Sequence, residues 1–317
     1  MRKEVGPARR LPQTASMPAL HADEIPTTPA LVRELLAAQM PEWAGLPLRY
    51  AGAGTDNTMY RLGEEYVVRL PRTPAGTLER ELTWAPRLAP HVGALLPEPV
   101  RRGAPSARFP APWCVLRWLD GAEPGPGTVR DWATFGTDLA TFVRELRGAP
   151  LMGARRADGL SWYRGGQLHG ITAEAEAALD GCAALGDVLA LDLAALREVW
   201  EAALALPDAA SPEGWLHGDL RPANLLVQDG ALHAVLDFGT LSLGLPDAEH
   251  APVFDLPPRA RTAYREALAL DDTTWARALA VAAMAVPYYW STLPDFAAES
   301  LTRLRNVLAD AAGTGTG

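Results

Sequence analysis

Between Trp215 and Leu241 the sequence abandons the helical spacing that surrounds it. Two short apolar runs, starting at Leu225 and Ala231, are separated by Asp229-Gly230, a dipeptide suited to the positive φ angles of a two-residue hairpin turn. Polar loops bound the pair: His217-Gly-Asp-Leu-Arg-Pro-Ala-Asn224 before it and Asp237-Phe-Gly239 after it. A hairpin returns its second strand beside the start of its first, so the pattern predicts that Asp237 folds back toward the Asp219 loop. Any fold for this chain has to gather those loops at one end of a hairpin.

The rest of the chain divides in two by period. Leu31 to Met40 carries apolar residues at helical spacing, entered through Thr27-Thr28-Pro29 and stopped by Pro41. From Leu48 the runs become short and β-like, LRYAG, NTMYRLG and EEYVVRLPR, with turn residues at Gly52, Gly54 and Gly63 to Glu65, which predicts an antiparallel meander. Leu78 to Leu88 reads as a helix and Ala111 to Leu119 as a buried strand ending at Asp120-Gly121. Helical periods then dominate: 129–146, 172–179, 191–206, 258–268, 274–285 and 295–310. The expectation is an α+β fold with a β-rich N-terminal lobe and leading helix over 21–118, and a mainly helical C-terminal lobe over 119–317. Residues 1–20 are expected to be a disordered lead; their basic start lacks the apolar run of a secretory signal, their Arg, Pro and Ser content would also suit a transit peptide, and Met17 is a second candidate start.

Composition narrows the partners. A formal net charge of −9 disfavours a nucleic-acid backbone and suits cationic ligands. Cys114 and Cys182 are the only cysteines, too far apart for a metal knuckle, so a reducing cytoplasm is the expected location. The histidines show no metal-ligand spacing. The longest nearly apolar stretch, Ala278 to Trp290, contains Pro287 and falls short of the roughly 18 to 20 residues needed to cross a bilayer, so no membrane span is expected. No interface stripe stands out, and a monomer or weak dimer is expected.

The loop pair carries the chemistry. Protein kinases place H-R-D-L-x-x-x-N before D-F-G; there the first Asp orients the acceptor hydroxyl, while the Asn and second Asp hold magnesium. Asp219 and Asn224 keep that spacing and Asp237-Phe-Gly239 follows across the turn. Carboxylate and amide oxygens are hard ligands for Mg²⁺, and a loose phosphoryl transition state needs positioning and charge neutralisation more than covalent help. Gly218 replaces the kinase Arg, no A-P-E-type element follows, and the connection to the next helix is short, so the chain resembles the aminoglycoside phosphotransferase family, which includes aminoglycoside, macrolide and choline-type kinases. The resemblance extends to Gly54–Gly63 and Tyr66–Arg72, which look like that family's nucleotide loop and third strand, and to the helix carrying Glu81; it covers roughly residues 20 to 310.

The resemblance implies a protein-kinase-like two-lobe fold and a small-molecule O-phosphotransferase that uses ATP or GTP with Mg²⁺. It makes Asp219 the catalytic base, Asn224 and Asp237 the metal ligands, and the Arg117-Trp118-Leu119 backbone the purine-binding hinge. Thr55, Asn57 and Thr58 would cradle phosphate oxygens, with Arg69 and Glu81 where kinases pair a Lys and a Glu. His217 would brace the loop.

Three departures matter. The Gly52-Ala-Gly54-Thr-Asp-Asn57 loop lacks the third glycine of G-x-G-x-x-G, and alone reads as a turn as readily as a phosphate clamp. Arg69 replaces the phosphate-pairing Lys; a guanidinium can fork onto phosphate or carboxylate with a different reach. Leu245 stands where the family has an acid, leaving Asp247 or Glu249 either to take over the loop-anchoring role, to face a cationic acceptor, or to be surface charge. These departures also motivate the alternative of a catalytically silent, kinase-like regulator that binds a nucleotide or metabolite.

Overall fold

A computed structural model describes residues 20–74, 78–185, 190–285, 287, 290 and 293–314. Of the lead expected over 1–20, residues 1–19 lie outside them; Leu20 is buried, contrary to that expectation. The chain forms two compact units, one from residues 1–76 and 100–118, the other from 77–99 and 119–317.

In the first unit, α1 (Pro29–Gln39) starts where the Thr28 hydroxyl accepts from the Leu31 N–H, with Pro29 at the first helical position. Its buried face, Val32, Leu35 and Leu36, joins a core with Tyr60, Leu62, Val68, Leu70, Trp113 and Val115. Those residues come from a five-stranded sheet of β1 (Leu48–Ala53), β2 (Asn57–Leu62), β3 (Tyr66–Pro71), β4 (Pro99–Gly103) and β5 (Trp113–Arg117), in the order β1-β2-β3-β5-β4. The meander is antiparallel, as expected, with a shift of register between Tyr50 and Gly52 of β1. β4 was not foreseen, because Pro-Val-Arg-Arg-Gly shows no apolar alternation.

The second unit begins with α2 (Leu78–Leu88). The expected boundary put this helix in the first lobe, but the structure groups 77–99 with the second unit. Buried contacts explain it: Trp84 packs on Trp215 with ring centroids 4.9 Å apart, and Leu95 exchanges backbone bonds with His233 and Val235. Then follow α3 (Trp132–Gly148), α4 (Thr172–Ala183), α5 (Leu193–Leu204), the two-stranded pair of β6 (Gly214–Leu216) with β9 (Ser242–Gly244), and the hairpin of β7 (Leu225–Gln228) with β8 (Ala231–Val235). After β9 come α6 (Asp247–His250), α7 (Pro258–Leu268), α8 (Asp272–Ala282) and α9 (Pro294–Thr314). The helix expected over 274–285 runs from Asp272 to Ala282 and ends ahead of Pro287, consistent with the restriction proline places on the residues before it; Val286, Tyr288 and Tyr289 lie outside the described residues. Among the described residues no helix is long and apolar enough to cross a membrane.

The hairpin forms as the sequence predicts. Gln228 pairs with Ala231, and Asp229 and Gly230 take φ of 52° and 83°, the positive values a type I′ turn requires.

Candidate active site

The site in the second unit is built around a buried carboxylate. Glu249, 1% exposed on the short α6, accepts the His217 N–H through one oxygen and the Gly218 N–H through the other, both at 2.9 Å. This fixes the turn that presents Asp219. The His217 ring completes it: its Nε2 lies 2.9 Å from the Leu236 carbonyl and its Nδ1 3.2 Å from the Asp219 N–H. A carbonyl can only accept, so Nε2 carries the proton and Nδ1 accepts from Asp219, the neutral tautomer. Burial, ahead of all other influences, lowers the His217 pKa and favours the same neutral form. His217 thus braces the loop.

Gly218 explains the departure from the protein-kinase pattern. Its φ is +86°, and a Cβ there would stand 3.1 Å from the Thr240 carbonyl oxygen, the same Thr240 whose hydroxyl donates to the His217 carbonyl at 2.7 Å. No L side chain is comfortable in that position. Gly218→Ala is expected to destabilise the fold by about 1–3 kcal/mol, read as a lower denaturant midpoint in urea.

Asp219 and Asn224 meet directly. The Asn224 side-chain amide donates to both the backbone carbonyl and a carboxylate oxygen of Asp219, each at 2.9 Å. Since its NH₂ makes these bonds, the amide oxygen is the atom Asn224 has to offer a cation. Asn224 is tied to the hairpin by the Leu236 N–H, which donates to its carbonyl at 2.8 Å, so the residue immediately before Asp237 is joined to the metal-ligand candidate. Asp237 sits at φ 61°, a conformation few non-glycine residues adopt, and accepts the Gly239 N–H through Oδ1. The next residue is fixed from α2: the Phe238 N–H donates to fully buried Glu81 at 2.8 Å, and Arg80 donates to the Gly239 carbonyl at 2.8 Å. Glu81, expected as a nucleotide-side residue, therefore anchors the Asp237-Phe-Gly turn.

Burial is the main influence that raises the Asp219 carboxyl, to about 6; neighbouring Asp237 adds to the rise and Arg221 opposes it. Arg221 extends to α9, where it forks onto Glu299 with Nε 3.0 Å from one oxygen, and its guanidinium lies 4.9 Å from the Phe296 ring centroid. Glu123 belongs to the same neighbourhood: burial raises its pKa, Glu299 and Asp295 add to the effect, and Arg221 counters it. A cluster of acids around one arginine thus flanks Asp219. Sequence reasoning missed Glu123, Asp295, Glu299 and Arg221, because the first three are far from the motif and only folding α9 back brings two of them near it.

Asp247 and Glu249 were open to three readings: loop anchor, acceptor-facing acid or surface charge. Glu249 is engaged by two backbone N–H groups, and Asp247, 4% exposed, pairs with Arg277 at 2.9 Å. Both are turned inward, because a short helix entering the core offers their carboxylates internal donors and no solvent. Glu249 takes the bracing role that Leu245 leaves open.

In the first unit, Asn57 and Arg69 meet on adjacent strands. With the Asn57 amide oriented to satisfy both partners, its oxygen accepts from the Arg69 guanidinium at 2.7 and 3.2 Å. Thr58 is buried in β2 opposite Ala53 and Leu70, whereas Thr55 stays partly exposed on the loop. The Trp118 N–H donates to the Glu65 carbonyl at 2.8 Å and is therefore occupied within its own unit. The Arg117 side chain reaches Glu65 at 3.0 Å. Of the proposed hinge, Arg117 and Trp118 close the first unit and Leu119 opens the second.

Comparison with known proteins fits this geometry. No curated protein matches the chain in sequence. Among solved structures, the GDP complex of a wild-type aminoglycoside 2′-phosphotransferase superposes with a TM-score of 0.69 at 19% identity, over 88% of this chain and 98% of that one. A ternary complex of streptomycin, ATP and APH(2")-IIa gives 0.56 at 16% identity, over 90% and 97%. The ligand-free macrolide 2′-phosphotransferase of Brachybacterium faecium gives 0.53 at 24% identity, over 88% and 96%. The fold is therefore α+β and kinase-like. Residues 47–281 match the phosphotransferase enzyme family, and the chain belongs to that family.

Proposed function

We propose that this protein is a small-molecule kinase that transfers the γ-phosphoryl group of ATP or GTP to a hydroxyl of an aminoglycoside-like or other cationic, hydroxyl-rich metabolite. The observation that carries the reading is the direct contact of Asp219 with Asn224 at the end of the hairpin that delivers Asp237. Relatives of the same fold were solved with GDP or with ATP, which supports a nucleoside triphosphate as donor. The acids Glu123, Asp295 and Glu299 gathered around Arg221 support a cationic acceptor.

In this mechanism the acceptor hydroxyl hydrogen-bonds to the Asp219 carboxylate. As its oxygen bonds to the γ-phosphorus, the bond from phosphorus to the β–γ bridging oxygen breaks and the hydroxyl proton passes to Asp219. The Asn224 amide, by holding one carboxylate oxygen, keeps the proton acceptor aimed. Among the described residues no cluster of three or more His, Cys, Asp or Glu could hold a metal, but Mg²⁺ commonly takes one or two protein ligands and completes its shell with phosphates and water. The Asn224 amide oxygen and the Asp237 carboxylate fit that need. Bound there, Mg²⁺ would neutralise charge on the phosphates.

Only the carboxylate form of Asp219 can accept the proton. Because its pKa is raised to about 6, that form accumulates above this pH, and kcat/KM for the acceptor is expected to fall about tenfold per unit below it. A pH–rate profile that stays flat well below 6 contradicts the assignment. The direct test is transfer of label from γ-³²P-ATP or γ-³²P-GTP with Mg²⁺ to aminoglycosides, macrolides, choline and amino sugars. Labelled product identifies the acceptor class; nucleotide binding without transfer to any acceptor, and without Mg²⁺-dependent hydrolysis, favours the silent regulator.

A further inference from the structure

The segment before α1 is bound to the nucleotide-loop segment through three residues. Glu24 presents Oε1 to Arg72, from Nε at 3.0 Å and Nη2 at 2.6 Å, and Oε2 to the Leu20 N–H at 2.6 Å. Arg72, 1% exposed and immediately after β3, also donates through Nη1 to the Gly54 carbonyl at 2.8 Å. His21 reaches past it, its Nε2 2.9 Å from the Thr55 carbonyl. The strap is itself fastened by the Ile25 N–H to the Arg72 carbonyl at 2.7 Å. Burial tends to raise the Glu24 pKa, but the Leu20 and Arg72 hydrogen bonds outweigh it, and the carboxyl is held below its ordinary value, hence ionised.

The two bonds to the loop fall on consecutive carbonyls. In a planar trans peptide the C=O and the following N–H point in opposite directions. With the Gly54 carbonyl drawn to Arg72, the Thr55 N–H is turned away from the strap; with the Thr55 carbonyl drawn to His21, the Asp56 N–H is turned away too. Successive backbone N–H groups presented from one turn make an anion-binding concavity. The loop has only Gly52 and Gly54 to permit that shape, so an external clamp replaces part of what a third glycine would allow by conformational freedom.

We infer that His21, Glu24 and Arg72 are positioning residues that set the phosphate-binding form of the Gly54–Asn57 turn, so that the segment preceding α1 tunes affinity for nucleotide phosphates. The inference rests on the kinase reading above. It requires no contact between these residues and the nucleotide, only control of the direction in which the loop amides point.

The test compares His21→Ala, His21→Gln and Glu24→Gln with the full-length wild-type chain, titrating each by calorimetry with adenosine, ADP and ATP, and with the guanosine series. Loss of one neutral hydrogen bond is worth about fivefold, so His21→Ala is expected to weaken ADP and ATP roughly fivefold and leave the nucleoside unchanged. His21→Gln, which keeps a donor, is expected to recover part of the loss, and Glu24→Gln to act in the same direction as His21→Ala. An equal loss for nucleoside and diphosphate, or no change for either, overturns the inference while the kinase reading stands. If the wild-type chain binds no nucleotide, the kinase reading falls and the inference with it. Should Glu24→Gln fail to fold, the partly exposed His21 pair still decides the matter.

Discussion

Replacing Asp219 by asparagine is expected to lower turnover by roughly 10² to 10⁴, the usual worth of a positioned general base, with nucleotide affinity changed little. An amide has nearly the carboxylate's shape and can keep one oxygen beside the Asn224 NH₂, but it has no basic site for the acceptor proton. The thermal response separates this loss from misfolding. Burial and the neighbouring Asp237 penalise a charge on Asp219, as its raised pKa of about 6 records, so removing the charge is expected to leave the melting temperature equal or higher. Full turnover in Asp219→Asn would sink the assignment; a lost activity accompanied by a lower melting temperature would point to structure instead. Label transfer and scanning calorimetry on the same preparation read both.

Glu249→Gln is expected to have the second large effect, and chiefly through the shape of the loop. The carboxylate offers an acceptor to each of two buried N–H groups, His217 and Gly218. A glutamine has one oxygen, so its NH₂ is forced against the other N–H, donor to donor. Two bonds to a charged acceptor contribute about 1.5–3 kcal/mol each and an unsatisfied buried donor costs about 1–3 kcal/mol, offset in part by relief of the burial penalty that raises the Glu249 carboxyl. We expect a destabilisation of about 2–4 kcal/mol by urea titration. At temperatures where the variant is folded, kcat is expected to fall more than the nucleotide KM rises, because the displaced loop carries Asp219. Glu249→Asp, which keeps two acceptors on a shorter stem, is expected to recover part of the activity. A Glu249→Gln enzyme with wild-type stability and kcat would show that the brace is unnecessary.

Asp247 illustrates how the same stretch of sequence misleads. Asp247 and Glu249 stand two apart in an acidic run and look alike as candidates for a cationic acceptor. Folded, one pairs with Arg277 of α8 and the other with the His217–Gly218 backbone. The acids that do gather around Arg221, beside Asp219, come from 123, 295 and 299, positions with no local signature. Likewise Glu81 was legible as a nucleotide-side acid paired with Arg69, but its bond from the Phe238 N–H was not.

What the sequence by itself determined is local. The Asp229-Gly230 turn needs positive φ, the alternating runs on either side need a pleated pair, and the motif spacing needs both polar loops at one end of that pair. Those requirements are met by residues within a short stretch, so they survive without knowledge of the rest of the chain. The proline-bounded helix at 29–39 and the antiparallel meander follow from the same short-range rules. Tertiary structure alone decided which buried polar group satisfies which: Glu249 under the Asp219 turn, Glu81 behind Phe238, Glu299 against Arg221, and His21 and Arg72 on the Gly54–Thr55 carbonyls. Those pairings join residues from 18 to 157 positions apart. A carboxylate or guanidinium will accept any partner of the right polarity, and only the packing of the apolar cores settles which one lies within reach.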